Sequence, residues 1–280
     1  AGVPVVGFVN EGKLEVDGRV QPARVAMLRD WLEAGHALGN HTFGHVDLHA
    51  VGLEAFLADI ERGERVLRPL LADHGTTPKW FRHPYLRAGQ SQAVRDGVSA
   101  FLDARGYRIA PVTVDNSEWI WAFAYRRVLD GQPASAAREA LLERLRRGYV
   151  PYMLNKLDYY ERQSVDLLGY ALPQVWLLHA NELNAATFAT LVAGAQRRGY
   201  RIVTLDEALR DGLPGPRTEA WKYTSLRQLE RRSFAAVEAL PSLDPMLLAD
   251  IPAPRAVFVN GRYSVALSLT TDLPDGVSLQ

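Results

Sequence analysis

Two histidines four residues apart, His41 and His45 in His41-Thr42-Phe43-Gly44-His45, directly follow a run with the composition of a β-strand. An i, i+4 spacing presents both imidazoles on one side of a helical turn, where they can hold one divalent ion. The same spacing also suits a solvated face or a capping arrangement, so the pair alone leaves the choice open. Three further groups of chemically able residues follow: Arg82-His83-Pro84-Tyr85, Asp115-Asn116-Ser117-Glu118-Trp119 and Leu177-Leu178-His179-Ala180-Asn181. Each lies at or just past a strand-like run, where parallel α/β folds place the loops that face ligands. Taken singly, each has a plain structural explanation: Arg82 a surface ion-pair residue, Asp115 a turn former, Trp119 a core aromatic, His179 a satisfied histidine ending a buried strand. Convergence of all four favours a site.

The elements that must position them recur with a regular rhythm. Strand-like runs at Val3–Asn10, His36–His41, Trp80–Tyr85, Tyr107–Asp115, Val175–Ala180 and Tyr200–Asp206 leave room for helices between them, which predicts a mainly parallel sheet. Leu53, Phe56, Leu57, Ile60, Leu67 and Leu70 recur at helical spacing, as in one amphipathic crossover helix. The stretch from Ser135 to Arg162 reads as a helical insertion before the Val175 strand. Asp211-Gly212-Leu213-Pro214-Gly215-Pro216 halts regular structure and marks a boundary. Residues 1–211 are therefore expected to form an α/β barrel or nearly closed barrel. Residues 212–280 are expected to form a small α+β tail with one helix-like stretch and two strand-like runs, Ala256–Val259 and Tyr263–Leu269.

The 280 residues are 48% apolar, enough for a large core. The 32 basic and 32 acidic side chains balance, so no overall charge draws the chain to nucleic acid or an anionic membrane. There is no cysteine, which removes disulfides, thiolate nucleophiles and thiolate ligands; a metal must sit on His, carboxylate, carbonyl or water. No apolar run approaches the roughly 20 residues of a membrane-spanning helix. The opening Ala1-Gly2-Val3-Pro4 shows neither Met nor a signal-peptide pattern, so the chain is expected to begin inside a longer product.

In order, His-Thr-x-x-His, Arg-x-Pro-Tyr, Asp-x-x-x-Trp and Leu-x-His resemble the motif series of the NodB-homology polysaccharide deacetylases, the fourth carbohydrate esterase family. The resemblance runs from about Val3 to Asp211. It is similar in particular to bacterial members at Gly7-Phe8-Val9-Asn10-Glu11-Gly12 and Leu177-Leu178-His179-Ala180-Asn181. It implies a distorted (β/α) barrel, hydrolysis of N- or O-acetyl groups on an acetylated polysaccharide or oligosaccharide, and a divalent metal, usually zinc. His41 and His45 are the implied metal ligands, and the backbone N–H of Tyr85 the oxyanion donor. His179 is the implied general acid, Leu177 and Trp119 line the acetyl pocket, and Arg82 and Asp115 form an orienting charge pair. His83 is read as a pocket-wall residue, and His49 as a minor ligand candidate.

The family's first-strand Asp-Asp motif, which provides the base and the third metal ligand, has no counterpart in this sequence. Gly2–Asn10 resembles the second strand, so the first is expected upstream of Ala1. Two readings stay open for the barrel: an acetyl hydrolase, or a catalytically dead carbohydrate-binding barrel. Beyond Leu213, Glu219-Ala220-Trp221-Lys222-Tyr223-Thr224 and Phe258-Val259-Asn260-Gly261-Arg262-Tyr263 resemble the N-terminal part of the SufD-type iron–sulfur assembly subunit. A third reading, an iron–sulfur assembly-related interaction protein, rests on that tail. The expected compartment is periplasmic or extracellular with an upstream signal, and cytoplasmic if the tail governs.

Overall fold

The structure, a computed structural model, describes residues 2–209, 255–259 and 262–266. Strands β1 (Val6–Val9), β4 (Ala37–Asn40), β5 (Trp80–Phe81) and β6 (Arg108–Ile109) form a parallel sheet in the order β1-β4-β5-β6. Its register pairs Val6 with Ala37, Asn40 with Phe81 and Trp80 with Arg108. A parallel bridge joins Val114 to Trp176 farther along. Between β1 and β4, β2 (Glu15–Val16) and β3 (Arg19–Val20) make a small hairpin. Its turn is Asp17-Gly18, both at positive φ, the pairing a two-residue turn between twisted strands prefers.

Helix α1 (Pro22–Glu33) carries the chain from that hairpin to β4, and α2 (Leu48–Val51), α3 (Leu53–Arg62) and α4 (Leu67–Asp73) lead to β5. After α5 (Gln92–Ala104) and β6 come α6 (Glu118–Gly131), α7 (Ala136–Leu168), α8 (Glu182–Arg197) and α9 (Leu205–Ala208). Both faces of the sheet are covered, as the period-two side-chain alternation of strands requires. Phe81 packs with Phe56 of α3 and Val98 and Leu102 of α5, whereas its neighbour Trp80 joins Ala110, Val175 and Leu209 on the other face. The α/β reading with a parallel sheet therefore holds.

Several element predictions are corrected. The expected single crossover helix over Leu53–Leu70 is two helices, because Gly63 must lie against the loop after β4: a Cβ there would sit 2.8 Å from the Thr42 carbonyl carbon. The Glu11 carboxylate opens the second helix, accepting from the N–H groups of Val66 (3.0 Å) and Leu67 (2.6 Å). The Val175 run makes only the single bridge to Val114. Tyr200–Asp206 forms no strand; Thr204 instead caps α9 through its side chain. The predicted insertion is α7, capped by Ser135 and longer than expected, reaching Leu168. It packs with α6 and α8 around Trp121, Tyr149, Met153, Leu154 and Leu191.

In the tail, β7 (Arg255–Val259) and β8 (Arg262–Ala266) pair antiparallel, as the two strand-like runs predict. The helix-like stretch and the Asp211–Pro216 boundary lie outside the described residues. No helix among the described residues is long and apolar enough to cross a membrane.

Candidate functional site

Asn40, at the end of β4, is fully buried and organises the loop that follows. Its amide donates to Ile60 O (3.0 Å) and Tyr107 Oη (3.2 Å), and its Oδ1 accepts from Thr42 N–H (2.7 Å). His41 is held from the other side, its N–H on Val9 O (3.0 Å) and its carbonyl on the Asn10 amide. Thr42 and His45 then adopt φ of 66° and 54°, so the His-x-x-x-His segment is a loop and not the predicted helical turn. The Thr42 hydroxyl accepts from His45 N–H at 3.0 Å, and Asp59 accepts from Gly44 N–H at 2.8 Å. These bonds bring the two imidazoles together, ring centres 4.8 Å apart. The adjacency predicted from spacing is correct, but its cause is a strained loop.

His41 Nδ1 lies 2.7 Å from Arg82 O. A carbonyl only accepts, so Nδ1 carries the hydrogen and Nε2 keeps its lone pair. Burial, then the neighbouring His45, pushes the His41 pKa down to about 3. Burial, then the Lys13 cation, pushes that of His45 down to about 4. Both rings are therefore neutral at neutral pH, the state a metal ligand needs. A catalytic zinc centre needs three protein ligands. Among the described residues no group of three or more His, Cys, Asp or Glu side chains is gathered. Besides His179, the charged groups acting on the pair are the cations Lys13 and Arg82. These residues by themselves do not make up a metal centre.

Tyr85 reaches the pair from the loop after β5, its ring 4.6 Å from that of His45. Its φ is 54°, followed by Leu86 at 55°. Its N–H donates to no protein acceptor among the described residues, leaving a donor open beside the imidazoles. Arg82 is buried, its guanidinium 4.2 Å from the centre of the Phe8 ring, with Nη2 on Pro111 O at 3.3 Å. Desolvation lowers its pKa to about 10. The predicted Arg82–Asp115 ion pair is absent among the described residues. Asp115 acts on Tyr152 and Lys156 of α7 instead, because the long helix reaches that side of the loop. His83 is no pocket wall: it is buried against Phe56 and Phe81, with ring centres at 6.1 and 5.1 Å. His49 sits at the start of α2, where its N–H is capped by Asp47.

The residue missed by sequence reasoning is Glu118, at the first position of α6 and 1% exposed. Its Oε2 accepts from His179 N–H (3.0 Å) and His179 Nδ1 (2.6 Å), and its Oε1 from the amides of Asn184 (2.9 Å) and Asn181. It lies inside the Asp115–Trp119 motif, and an acid just before an aromatic helix start was the available signal. Asn116 ties the two strand ends together, donating to Leu177 O at 2.7 Å while its own carbonyl accepts from Tyr152 Oη at 2.6 Å. Leu177 is half-buried and alternates with Trp176 and Leu178, which face the helical core. That puts Leu177 on the same side as Val175. Trp119 is also half-buried. His179 acts electrostatically on both His41 and His45, while ring contacts join His41 to His45 and His45 to Tyr85.

Residues 1–100 match the family model for polysaccharide deacetylase. Among solved structures, a carbohydrate esterase family 4 pseudoenzyme from Bacillus anthracis aligns at 14% identity with TM-score 0.49, covering 74% of this chain and 56% of that one. The chitin deacetylase of the fungal pathogen Colletotrichum lindemuthianum aligns at 20% identity with TM-score 0.48, covering 76% and 78%. The iron–sulfur cluster assembly protein SufD of Escherichia coli (strain K12) is 40% identical over 81 residues, 28% of this chain and 19% of that protein. The chain thus spans little more than half of the pseudoenzyme and about a fifth of SufD.

Proposed function

We propose that this chain removes N- or O-acetyl groups from an acetylated polysaccharide. The observations that support this reading are the His41–His45 pair with the Tyr85 ring against it, and a carboxylate-held His179 that acts electrostatically on both imidazoles. The match of residues 1–100 to the polysaccharide deacetylase model supports it. The Tyr85 N–H donates to the oxyanion as the acetyl carbonyl becomes tetrahedral. His179 protonates the departing sugar amine or hydroxyl. Leu177 and Trp119 flank the methyl group, and the half-exposed Tyr85 ring offers a surface to the sugar. His41 and His45 offer two ligands to a divalent ion, zinc by the resemblance, and a third donor from beyond the described residues is required.

The test is acetate release from acetylated chitin oligomers and acetylated xylan, with and without added zinc. A His179→Ala variant is expected to lose about 100-fold or more in rate, the usual contribution of a general acid. No release by the wild-type chain under either condition removes the reading. A second reading, glycan binding without turnover, is favoured by the lack of a gathered third ligand among the described residues. Calorimetric binding of the same oligomers without acetate release would support it.

A further inference from the structure

We infer that Lys156 and Asp115 form a subsite for the hydroxyls of a neutral sugar unit, the ammonium donating to them and the carboxylate accepting from them. The inference deepens the glycan reading above and holds whether the bound sugar is turned over or only held.

The subsite is built where α7 meets the loop that leads into α6. Tyr152, Lys156 and Tyr159 are spaced four and three residues apart along α7 and so share one face of it. On that face the Tyr152 hydroxyl donates to Asn116 O at 2.6 Å, and the Asn116 amide donates to Leu177 O at 2.7 Å. One turn beyond Tyr152, Lys156 is only 6% exposed. Its Nζ stands 5.5 Å from the centre of the Tyr152 ring and 5.9 Å from that of Tyr159, an aromatic seat that favours a cation. Asp115, next to Asn116, is half-buried and acts electrostatically on both Tyr152 and Lys156.

Both charged groups have unused bonding capacity. An ammonium has three hydrogens to donate, and Lys156 Nζ gives none to a protein acceptor among the described residues. The Asp115 carboxylate accepts no hydrogen bond and closes no ion pair there. Glu118, on the same loop, is by contrast fully engaged by His179, Asn181 and Asn184. A buried charge without a hydrogen-bonding partner is costly, and Lys156 carries that cost in the free chain. The two charges act on each other without touching, so a group set between them meets a donor on one side and an acceptor on the other.

A hydroxyl suits that place because it both accepts and donates. An anionic substituent does not, since the charge that Lys156 attracts is repelled by Asp115. Burial lowers the Lys156 pKa and the Asp115 charge opposes that shift; charged or neutral, Nζ keeps hydrogens to donate. Asp115 lies three residues before Glu118, which holds His179. A sugar bound at Asp115 is therefore bound on the loop that fixes His179.

The test uses the full chain and N-acetylated chitotetraose, with Kd measured by calorimetry without added zinc and KM for acetate release with it. Lys156→Met and Asp115→Ala are each expected to raise Kd about 10-fold or more, the usual weight of a hydrogen bond to a charged group. Lys156→Arg, which keeps the donors, is expected to lose less than Lys156→Met. The double variant is expected to lose little more than either single one, as for two groups that hold the same sugar. Melting temperatures are followed in parallel, and if Lys156→Met does not fold, the half-buried loop change Asp115→Ala decides. An unchanged Kd in folded Asp115→Ala, or no binding by wild type, overturns the inference. Acetate release with the same KM in wild type and variants overturns it and leaves the deacetylase reading standing. Binding that the variants lose, without acetate release by wild type, removes the deacetylase reading and leaves the subsite.

Discussion

At His41 the imidazole is neutral because the fold buries it beside another imidazole and a guanidinium and gives it no counter-charge. This has a measurable consequence for stability. The unfolded histidine binds a proton near pH 6.5, whereas the folded one refuses it until about pH 3. Between these values the unfolded state holds more protons, so stability rises with pH through the window and is lost as pH falls. One such group gives a slope of up to ~1.4 kcal/mol per pH unit. His45 is depressed in the same window, so urea titrations of metal-free protein between about pH 7 and about pH 5, above the range where carboxylates protonate, are expected to show up to about twice that slope, and His41→Gln is expected to remove about half of it. A slope unchanged in the variant would place the titration elsewhere.

Among the elements, the junction of α3 and α4 sets the position of the histidine loop. Gly63 lets α3 end against Thr42, and the Glu11 carboxylate satisfies the first N–H groups of α4. Because Glu11 lies in the turn after β1, this cap ties the first strand to the fourth helix. Glu11→Ala leaves buried donors unpaired and is expected to cost about 1–3 kcal/mol, read as a lower urea midpoint. Glu33→Ala, at the exposed end of α1, is expected to leave the midpoint unchanged. Equal effects of the two changes would remove the capping account.

On the scale of the whole molecule, two cores meet at the site. One lies on the sheet, and the other is the α6–α7–α8 unit around Tyr149, Met153 and Leu191. The helical unit positions the Glu118–His179 pair, since Glu118 opens α6 and Asn181 and Asn184 open α8. Leu154 sits where α7 and α8 touch, with Gly194 so close that a Cβ there would meet Leu154 Cδ1 at 2.5 Å. Leu154→Ala is expected to cost about 2–5 kcal/mol through the lost contacts and the cavity left behind. It should also raise amide exchange in α6 and α8 more than in α3 and α5. Uniform exchange across both cores would mean that they unfold as one unit.

The sequence by itself determined the alternation of strands and helices, because periodicity and turn residues are local properties. It also determined the order of the motifs, and His41, His45, Tyr85 and His179 were all named from it. Tertiary structure decided the partners. That Asp115 acts on Lys156 and that Glu118 holds His179 depend on where α6, α7 and α8 pack, and that Arg82 is buried on Phe8 and His83 against Phe56 depends on how β1, β5 and α3 pack. Such pairings join residues from 27 positions apart, Phe56 with His83, to 74, Phe8 with Arg82, which no spacing rule contains. The left-handed backbone at Thr42, His45 and Tyr85 is likewise a tertiary outcome, since these residue types adopt it only where surrounding contacts compel it.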